Sequence, residues 1–248
     1  MFVEARAKVD PSIGATWIEV AGAYAMFDGA SSPITQTFGL GLFEPVTDVE
    51  IQVIESFFQE RGAPTIHEVS PLAGVPLLTL LSQRGYQPVE LTSVMFRPLS
   101  LALTTVTQRN EKIRVRIVET DEHETWAKTA TRGWSESNEF AESMTDLMKV
   151  FAGRSNGISF LAELEGIPVA TGALNTHEGV ALMAGASTVP EGRNQGAQNA
   201  LLQIRLQHAA QDGCDIAMMC AEPGSASQRN AERHGFRIAY TRTKWQLL

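Results

Sequence analysis

The sequence predicts a mixed α/β protein in which helices pack on a sheet of antiparallel and parallel strands. Three observations predict this fold class. After residue 113, segments with the period of a strand alternate with segments with the period of a helix. The two-residue turn Glu165-Gly166 separates two apolar runs of strand length and indicates an antiparallel hairpin. Further on, a helix closed by Gly213 precedes the apolar run CDIAMMCA, which indicates a crossover between neighbouring strands.

The composition limits the class of protein. The chain has 248 residues, of which 44% are hydrophobic and 19% charged, enough to form a full core. A net charge of −8 disfavours nucleic acid or an anionic membrane as the partner. We find no run of 18 apolar residues, no secretory signal and only two cysteines, so we expect a cytoplasmic protein. The five histidines lack metal-ligand spacing, and we expect no metal.

The second half of the chain has the clearer elements. Their order is strand, two helices, three antiparallel strands, helix, strand, helix, strand. The predicted segments are a strand over 113–119, helices over about 121–132 and 139–153, hairpin strands SFLAEL, IPVATGAL and VALMAGAST, a helix before Gly213, the strand CDIAMMCA, the helix SASQRNAERHG and the strand FRIAYTRTKWQLL.

The first half is less regular. It predicts a helix over 47–61, a short strand over 65–69 and a helix over 72–83, followed by the extended run VELTSVMFRPL. Before residue 47 glycine and proline are frequent, and this half lacks a convincing full set of strands. Residues 100–112 are polar and predict a linker or a crossing strand.

The two halves end in the same pattern. In each, a proline precedes helix, strand and helix, and the second helix ends at Arg-Gly-Tyr or His-Gly-Phe. The prolines are Pro45 and Pro190, and the glycines are Gly85 and Gly235. We favour a tandem duplication whose first copy has diverged. The alternative is a coincidence between two α/β segments.

One loop contains the residues that indicate a binding site. Residues 187–198 lie between a strand and a helix, where free backbone N–H groups at a helix start bind phosphate. Gly192 and Gly196 would let the backbone approach an anion closely, and Arg193 would add a charge-assisted contact. The alternative is an ordinary strand-to-helix turn with a surface arginine.

The run Val189-Pro190-x-x-Arg193-x-x-Gly196-Ala197 resembles the acyl-CoA-binding signature of the GNAT superfamily of N-acetyltransferases. The order of elements after residue 113 fits that fold, and the run Asn230 to Phe236 resembles the family's last helix, which closes in Gly-Phe. The resemblance covers the second half. It implies a complete acyl-CoA-binding domain over 111–248 and a reduced GNAT-like copy over 1–110.

The resemblance also implies a site, with acetyl-CoA as co-substrate and a small-molecule amine as acceptor. Thr188 and Val189 would offer backbone groups to the pantetheine amides. Asn230, or Ser225 at the head of the last helix, would contact the pantetheine arm. The residues expected to wrap the pyrophosphate are Arg193, Asn194, Gln195, Gly196, Ala197, Gln198 and Asn199.

The sequence departs from the family pattern at two positions. Gln198 stands where the signature usually has glycine or alanine, so its side chain would either crowd the loop or point away. Many members carry a tyrosine as general acid four residues before the glycine of Gly-Phe, and that position here is Ala231. The acid role is therefore vacant, or it is filled by Ser225, Tyr240 or water.

Candidates for the base and for substrate contact are weaker. Glu136, Glu139 and Glu222 are near the expected cleft, although a solvated surface carboxylate is the favoured interpretation of each. Trp134 and Glu136 are the candidates for substrate contact, because their loop admits substrate in this family; for Trp134 the alternative is core packing.

Three functions from different classes follow. The first is an N-acetyltransferase acting on a small amine. The second is a CoA-binding regulatory or accessory module that has lost catalysis, and the third is a scaffold whose loop binds no nucleotide. The turn after Pro45 contains Asp48 and Glu50 and no glycine, so we expect the first half not to bind CoA.

Overall fold

A computed structural model describes residues 2–100, 110–134, 141–154 and 157–248. The chain forms two compact units. The N-terminal unit consists of Met1–Val94, Ala221–Pro223 and Ile238–Leu248, and the C-terminal unit of Met95–Cys220 and Gly224–Arg237. Each unit therefore contains a segment from the opposite half of the sequence. Among the described residues, no helix is both long and apolar enough to span a membrane.

The elements confirm the predicted mixed α/β class. The α-helices are α1 (Phe2–Val9), α2 (Asp48–Gln59), α3 (Gly74–Gln83), α4 (His123–Trp134), α5 (Ala141–Ala152), α6 (Ala197–Gln211) and α7 (Ala226–Arg233). The strands are β1 (Thr16–Val20), β2 (Ala23–Phe27), β3 (Gln36–Phe38), β4 (Ile66–Val69), β5 (Tyr86–Pro98), β6 (Ile113–Ile117), β7 (Gly157–Leu164), β8 (Ile167–His177), β9 (Val180–Thr188), β10 (Ile216–Ala221) and β11 (Arg237–Leu247).

In the N-terminal unit the strands follow the order β1-β2-β3-β4-β11-β5. The first three pair antiparallel, β3 and β4 pair parallel, and β11 pairs antiparallel with β4. The apolar core lies between these strands and α2 and α3. Its buried residues include Ile51, Ile54 and Phe58 of α2 and Leu77 and Leu81 of α3.

The structure corrects the expectation that the first half lacks a full set of strands, because β1, β2 and β3 precede α2. β1 and β2 form a hairpin around Ala21 and Gly22, whose φ angles are +49° and +72°. A two-residue turn with both φ angles positive normally carries asparagine, aspartate or glycine first. Because alanine stands at this position, the sequence does not predict the turn.

Helix α2 is capped by its own side chains. The Thr47 hydroxyl accepts a hydrogen bond from Val49 N (3.3 Å), and Glu50 Oε2 accepts one from Thr47 N (2.8 Å). This reciprocal capping box satisfies the N–H groups that a helix start otherwise leaves free. The helix agrees with the range predicted for 47–61, and Gly62 follows it with φ +62°.

In the C-terminal unit the strands follow the order β10-β9-β8-β7-β6, and residues 95–98 of β5 also belong to this unit. Antiparallel pairing runs from β6 through β9, with turns at Glu165-Gly166 and Glu178-Gly179. β9 and β10 pair parallel, and α6 forms the crossover between them. The predicted hairpin at Glu165-Gly166 and the predicted crossover are confirmed.

Helix α6 buries a different face from the predicted one. Ala197, Ala200 and Leu201 are buried as expected, but Ile204 and His208 are only half-buried. Leu202, Arg205, Leu206 and Ala209 complete the buried face. The packed stripe is therefore rotated around the helix, and it includes a charged residue.

Candidate active site

The C-terminal unit contains a cleft of about 500 Å³. It lies at the end of α4, the end of β9, the start of α6 and along α7. Its lining residues are Gly133, Trp134, Ala186, Ser187, Thr188, Gly192, Arg193, Asn194, Gly196, Ala197, Gln198, Asn199, Leu202, Arg205, Met219, Ala226, Ser227, Asn230 and Arg233.

The cleft begins where two parallel strands stop pairing. β9 and β10 pair over three residues, from Val180 with Ile216 to Leu182 with Met218. Beyond these pairs β9 continues to Thr188 and lines the cleft with its last three residues, while Met219 of β10 lines it from the other side. An extended ligand can therefore lie between the strands and use the backbone groups that the sheet does not use.

A β-bulge lies on β9 beside this opening. The pairing of β8 with β9 shifts between Thr171 and Ala173, so Gly172 faces both Gly185 and Ala186. Gly185 has a φ of +61°, and the ring of Trp126 is 3.1 Å from the place of a Cβ atom there. A bulge next to a cleft changes the direction of the backbone groups that face it.

Side chains hold three consecutive carbonyl groups of this bulge. The Ala184 carbonyl accepts a hydrogen bond from Arg205 Nη1 (3.1 Å). The Gly185 carbonyl accepts one from Thr171 Oγ1 (2.9 Å), and the Ala186 carbonyl accepts one from Trp134 Nε1 (2.9 Å). Because the carbonyl groups are fixed, the orientation of the peptide N–H groups between them is fixed as well.

The loop before α6 has the conformation of an anion-binding turn. Asn194 and Gly196 have φ angles of +60° and +87°, and residues 193–196 are exposed. No side chain caps the start of α6, and the place of a Cβ atom on Gly196 is open. The first N–H groups of the helix are thus available to a ligand. Gly192 has another role, because a Cβ atom there would lie 2.6 Å from Val169 Cβ.

The Gln198 side chain points away from the loop, which decides between the two alternatives for this position. Its Nε2 donates to the Ser187 carbonyl (2.6 Å), the Thr171 carbonyl (3.2 Å) and Thr188 Oγ1 (3.1 Å). The side chain therefore joins the first turn of α6 to the ends of β8 and β9, and it leaves its backbone N–H beside the loop.

The opposite wall of the cleft comes from α7. Asn230 and Arg233 line it, whereas Ala231 is fully buried and brings no polar group into it. His234 follows the helix, and its Nε2 lies 3.3 Å from Asn199 Oδ1. Burial and then the nearby charges of arginines, Arg205 among them, lower the pKa of His234 to about 4, so the imidazole is neutral at pH 7.

The cleft is positively charged although the chain as a whole is acidic. Arg193, Arg205 and Arg233 line it, and the lining residues that the structure describes include no aspartate or glutamate. The described residues also contain no group of three histidine, cysteine or acidic side chains that could hold a metal. This arrangement suits a polyanionic ligand.

Most of the residues expected to bind a cofactor lie together in this cleft. They are Thr188, Arg193, Asn194, Gly196, Ala197, Gln198, Asn199 and Asn230, and Trp134 also lies there, 46% exposed. Val189 is instead buried in the core, and Gln195 accepts a hydrogen bond from Asn110 Nδ2 (3.2 Å).

The candidates for acid and base are not part of the lining. Ser225 caps α7, because its hydroxyl accepts a hydrogen bond from Gln228 N (3.1 Å). Glu222 and Tyr240 belong to the N-terminal unit. Glu136 and Glu139 lie outside the described residues.

Arg205 also lines the cleft, but it was not among the residues expected there. Arg205 lies four residues after Leu201, at a position of α6 where the helical spacing predicts an apolar residue. A charged residue at a predicted core position is the feature of the sequence that could have indicated its role.

Part of the chain is similar to a known protein family. Residues 120–236 match the model of the acetyltransferase (GNAT) family. The matched segment contains the bulge, the loop before α6, and α7. The segment is therefore similar to GNAT acetyltransferases, a class of protein that carries out acyl transfer. A search of curated proteins finds no match.

Solved structures show the same fold over nearly the whole chain. A GCN5-related N-acetyltransferase from Kribbella flavida is 18% identical, with a TM-score of 0.71, and the match covers 99% of this chain and 94% of that one. A GCN5-related N-acetyltransferase from Sphaerobacter thermophilus is 20% identical, with a TM-score of 0.62. The match covers 90% of this chain and 76% of that one. A tandem GNAT protein from the clavulanic acid biosynthesis pathway is 14% identical, with a TM-score of 0.64. The match covers 92% of this chain and 78% of that one. At these identities the likeness concerns the fold.

Proposed function

We propose that the chain is a cytoplasmic N-acetyltransferase that transfers acetyl from acetyl-CoA to an amine of a small molecule. One observation carries the proposal: the uncapped start of α6, with Arg193 and Gly196 before it, faces the opening between β9 and β10. A helix start binds a pyrophosphate, and unpaired strand ends bind an amide-containing arm. The chain has only two cysteines, which agrees with a reducing compartment.

Different residues of the cleft would bind different parts of acetyl-CoA. Arg193 and the N–H groups of residues 196–199 would hold the pyrophosphate, and Thr188 and Asn230 would hold the pantetheine arm. Acetyl-CoA supplies an activated acyl group as a thioester. The fixed bulge of β9 offers oriented N–H groups for the negative charge that develops on the carbonyl oxygen during acyl transfer.

We expect the acceptor to bind beside Trp134. Its indole is half-exposed and held in place by the hydrogen bond to Ala186, so it forms a rigid surface beside the bulge. An apolar or cationic amine can pack against an indole face. We therefore expect an acceptor whose amine lies near Trp134 with its remaining atoms toward solvent.

A second candidate function is a CoA-binding accessory module without catalysis. It is favoured by Ala231, which brings no acid to the position where many family members carry a tyrosine. Both candidates require CoA binding, and only the first requires turnover.

The test combines titration and turnover. Isothermal titration of the full chain with CoA is expected to give one site, because the capping box of Thr47 and Glu50 occupies the start of α2. A panel of small amines with acetyl-CoA is then assayed for release of free thiol. Turnover supports the enzyme, and binding without turnover of any amine supports the accessory module. The absence of CoA binding would overturn both.

We further propose that the chain arose by tandem duplication. The N-terminal unit contains strands, then α2, then β4 and α3, which repeats the order of β9, α6, β10 and α7. β3 and β4 pair parallel across α2 as β9 and β10 do across α6. Superposition of the two units should align α2 with α6, and an alignment in another order would contradict the duplication.

A further inference from the structure

Arg205 carries a buried charge at the floor of the cleft. It is 2% exposed, and the structure describes no carboxylate within ion-pair distance of it. In the described part of the chain its guanidinium donates to backbone carbonyl groups: Nε donates to Leu201 (3.1 Å), and Nη1 donates to Ala173 (3.2 Å) and Ala184 (3.1 Å). Within the residues that the structure describes, the charge is therefore satisfied by carbonyl dipoles and has no counter-ion.

The neighbouring strand is shaped for this guanidinium. A Cβ atom on Gly172 of β8 would lie 2.8 Å from Arg205 Cζ and 3.0 Å from its Nε. Any other residue at position 172 would push the guanidinium away from the bulge. Gly172 and Arg205 are 33 positions apart in the sequence but form one structural unit.

The guanidinium lies where the strands part. Its partner Ala184 follows the last paired residue of β9, Leu182, and precedes the first residue of β9 that lines the cleft, Ala186. The guanidinium thus bonds to a carbonyl two residues before Ala186 and itself lines the cleft, at the inner end of the opening that begins at the α6 loop.

An apolar side chain would pack here at lower cost, because burial of an arginine without a counter-ion is expensive. Burial lowers the pKa of Arg205 to about 10, so the side chain stays charged at neutral pH. A buried permanent charge at the inner end of a cleft favours a ligand or a reaction step that places negative charge there.

We propose that the buried Arg205 guanidinium stabilises the CoA thiolate that leaves when acetyl passes to the amine. This inference rests on the proposed function. The amine nitrogen bonds to the carbonyl carbon, the carbon–sulfur bond breaks, and its electron pair stays on sulfur. The nitrogen loses its proton to solvent, and solvent later protonates the sulfur. A fixed cation thus replaces the proton donor that Ala231 lacks.

The alternative role for Arg205 is purely structural, as a donor of hydrogen bonds to the bulge. Two substitutions separate the roles. Arg205→Gln keeps hydrogen-bond donors and removes the charge, whereas Arg205→Lys keeps the charge and loses the planar fork. A purely structural role as a donor predicts that glutamine preserves the function at least as well as lysine, and a charge role predicts that lysine preserves it and glutamine does not.

The experiment measures the pKa of the CoA thiol in its complex with the full chain, from the ultraviolet absorbance of the thiolate. It needs no knowledge of the acceptor. We expect a thiol pKa at least about one unit lower in the wild-type and Arg205→Lys complexes than in Arg205→Gln. Equal values in wild type and Arg205→Gln, or a Lys variant that matches Gln, would overturn the inference.

Controls keep the result interpretable. Arg132→Gln removes an exposed arginine that pairs with Glu191 (3.2 Å), and it should leave the thiol pKa unchanged. If Arg205→Gln does not fold, Gly172→Ala serves in its place, because it displaces the guanidinium and should raise the thiol pKa. Failure of the wild type to bind CoA would instead overturn the proposed function itself. Once an acceptor is known, kcat of Arg205→Gln should fall on the order of 10–100-fold with little change in KM for acetyl-CoA.

Discussion

The side-chain amide of Gln198 donates a 2.6 Å hydrogen bond to the Ser187 carbonyl and so ties the first turn of α6 to the end of β9. Two weaker bonds, to the Thr171 carbonyl and the Thr188 hydroxyl, strengthen the connection. The loop and the strand end that form the cleft are therefore held together by one residue. A glycine or alanine at this position could not make that connection.

Gln198→Glu should destabilise the C-terminal unit, because a carboxylate would face two carbonyl oxygens in place of a donor. We expect a loss of about 1–3 kcal/mol in the free energy of unfolding and weaker CoA binding. Gln198→Ala should cost less, since it removes the bonds without adding repulsion. Denaturant unfolding of both variants measures the difference. Equal stability of the glutamate variant and the wild type would contradict this account.

Gly196→Phe should abolish CoA binding without unfolding the protein. The site of its Cβ atom is open, but a φ of +87° strains any residue other than glycine, by about 1–2 kcal/mol. Gly213, after the other end of α6, has a similar φ of +75° and an open Cβ site. Gly213→Phe is therefore a matched control, with the same backbone strain and normal CoA affinity in a titration. Similar affinity in both variants would show that the loop does not bind CoA.

Stability should fall in mild acid because of two buried histidines. Burial lowers the pKa of His67 to about 3 and that of His234 to about 4. As the pH falls below about 6.5, the unfolded chain takes up protons that the folded chain does not. Stability is thus complete above that pH and is lost as the pH falls toward 3.

The loss should approach about 1.4 kcal/mol per pH unit for each histidine. Urea midpoints between pH 7 and pH 4 measure this loss. His67→Gln should flatten the profile, because glutamine does not titrate. An unchanged slope in His67→Gln would exclude its contribution.

The two halves of the sequence should not fold separately. β11 pairs with β4 in the N-terminal unit, with Trp245 opposite His67. A fragment of residues 1–110 lacks this strand and exposes the edge of β4 together with its apolar face. It should be insoluble or unfold without cooperativity. Residues 1–94 joined to 238–248 by a flexible linker are the control and should be more stable. Cooperative unfolding of the shorter fragment would show that β11 is dispensable.

Short-range patterns account for what could be predicted. The hairpin at Glu165-Gly166 and the helix that Thr47 begins each depend on residues a few positions apart, and their periods and caps are visible in the chain. The hairpin at Ala21-Gly22 could not be predicted from such a pattern, because alanine does not indicate a positive φ. The family resemblance likewise rests on a compact loop signature.

The sequence by itself determined the mixed α/β class, the order of elements in the second half and the loop from Arg193 to Gly196. These depend on periodicity and on local backbone conformation, which neighbouring residues control. The tertiary structure alone decided that Gln198 turns inward, that β11 completes the N-terminal unit, and that Arg205 is buried against Gly172. Each of these depends on contacts between distant residues, whose energies arise only when the strands and helices have packed.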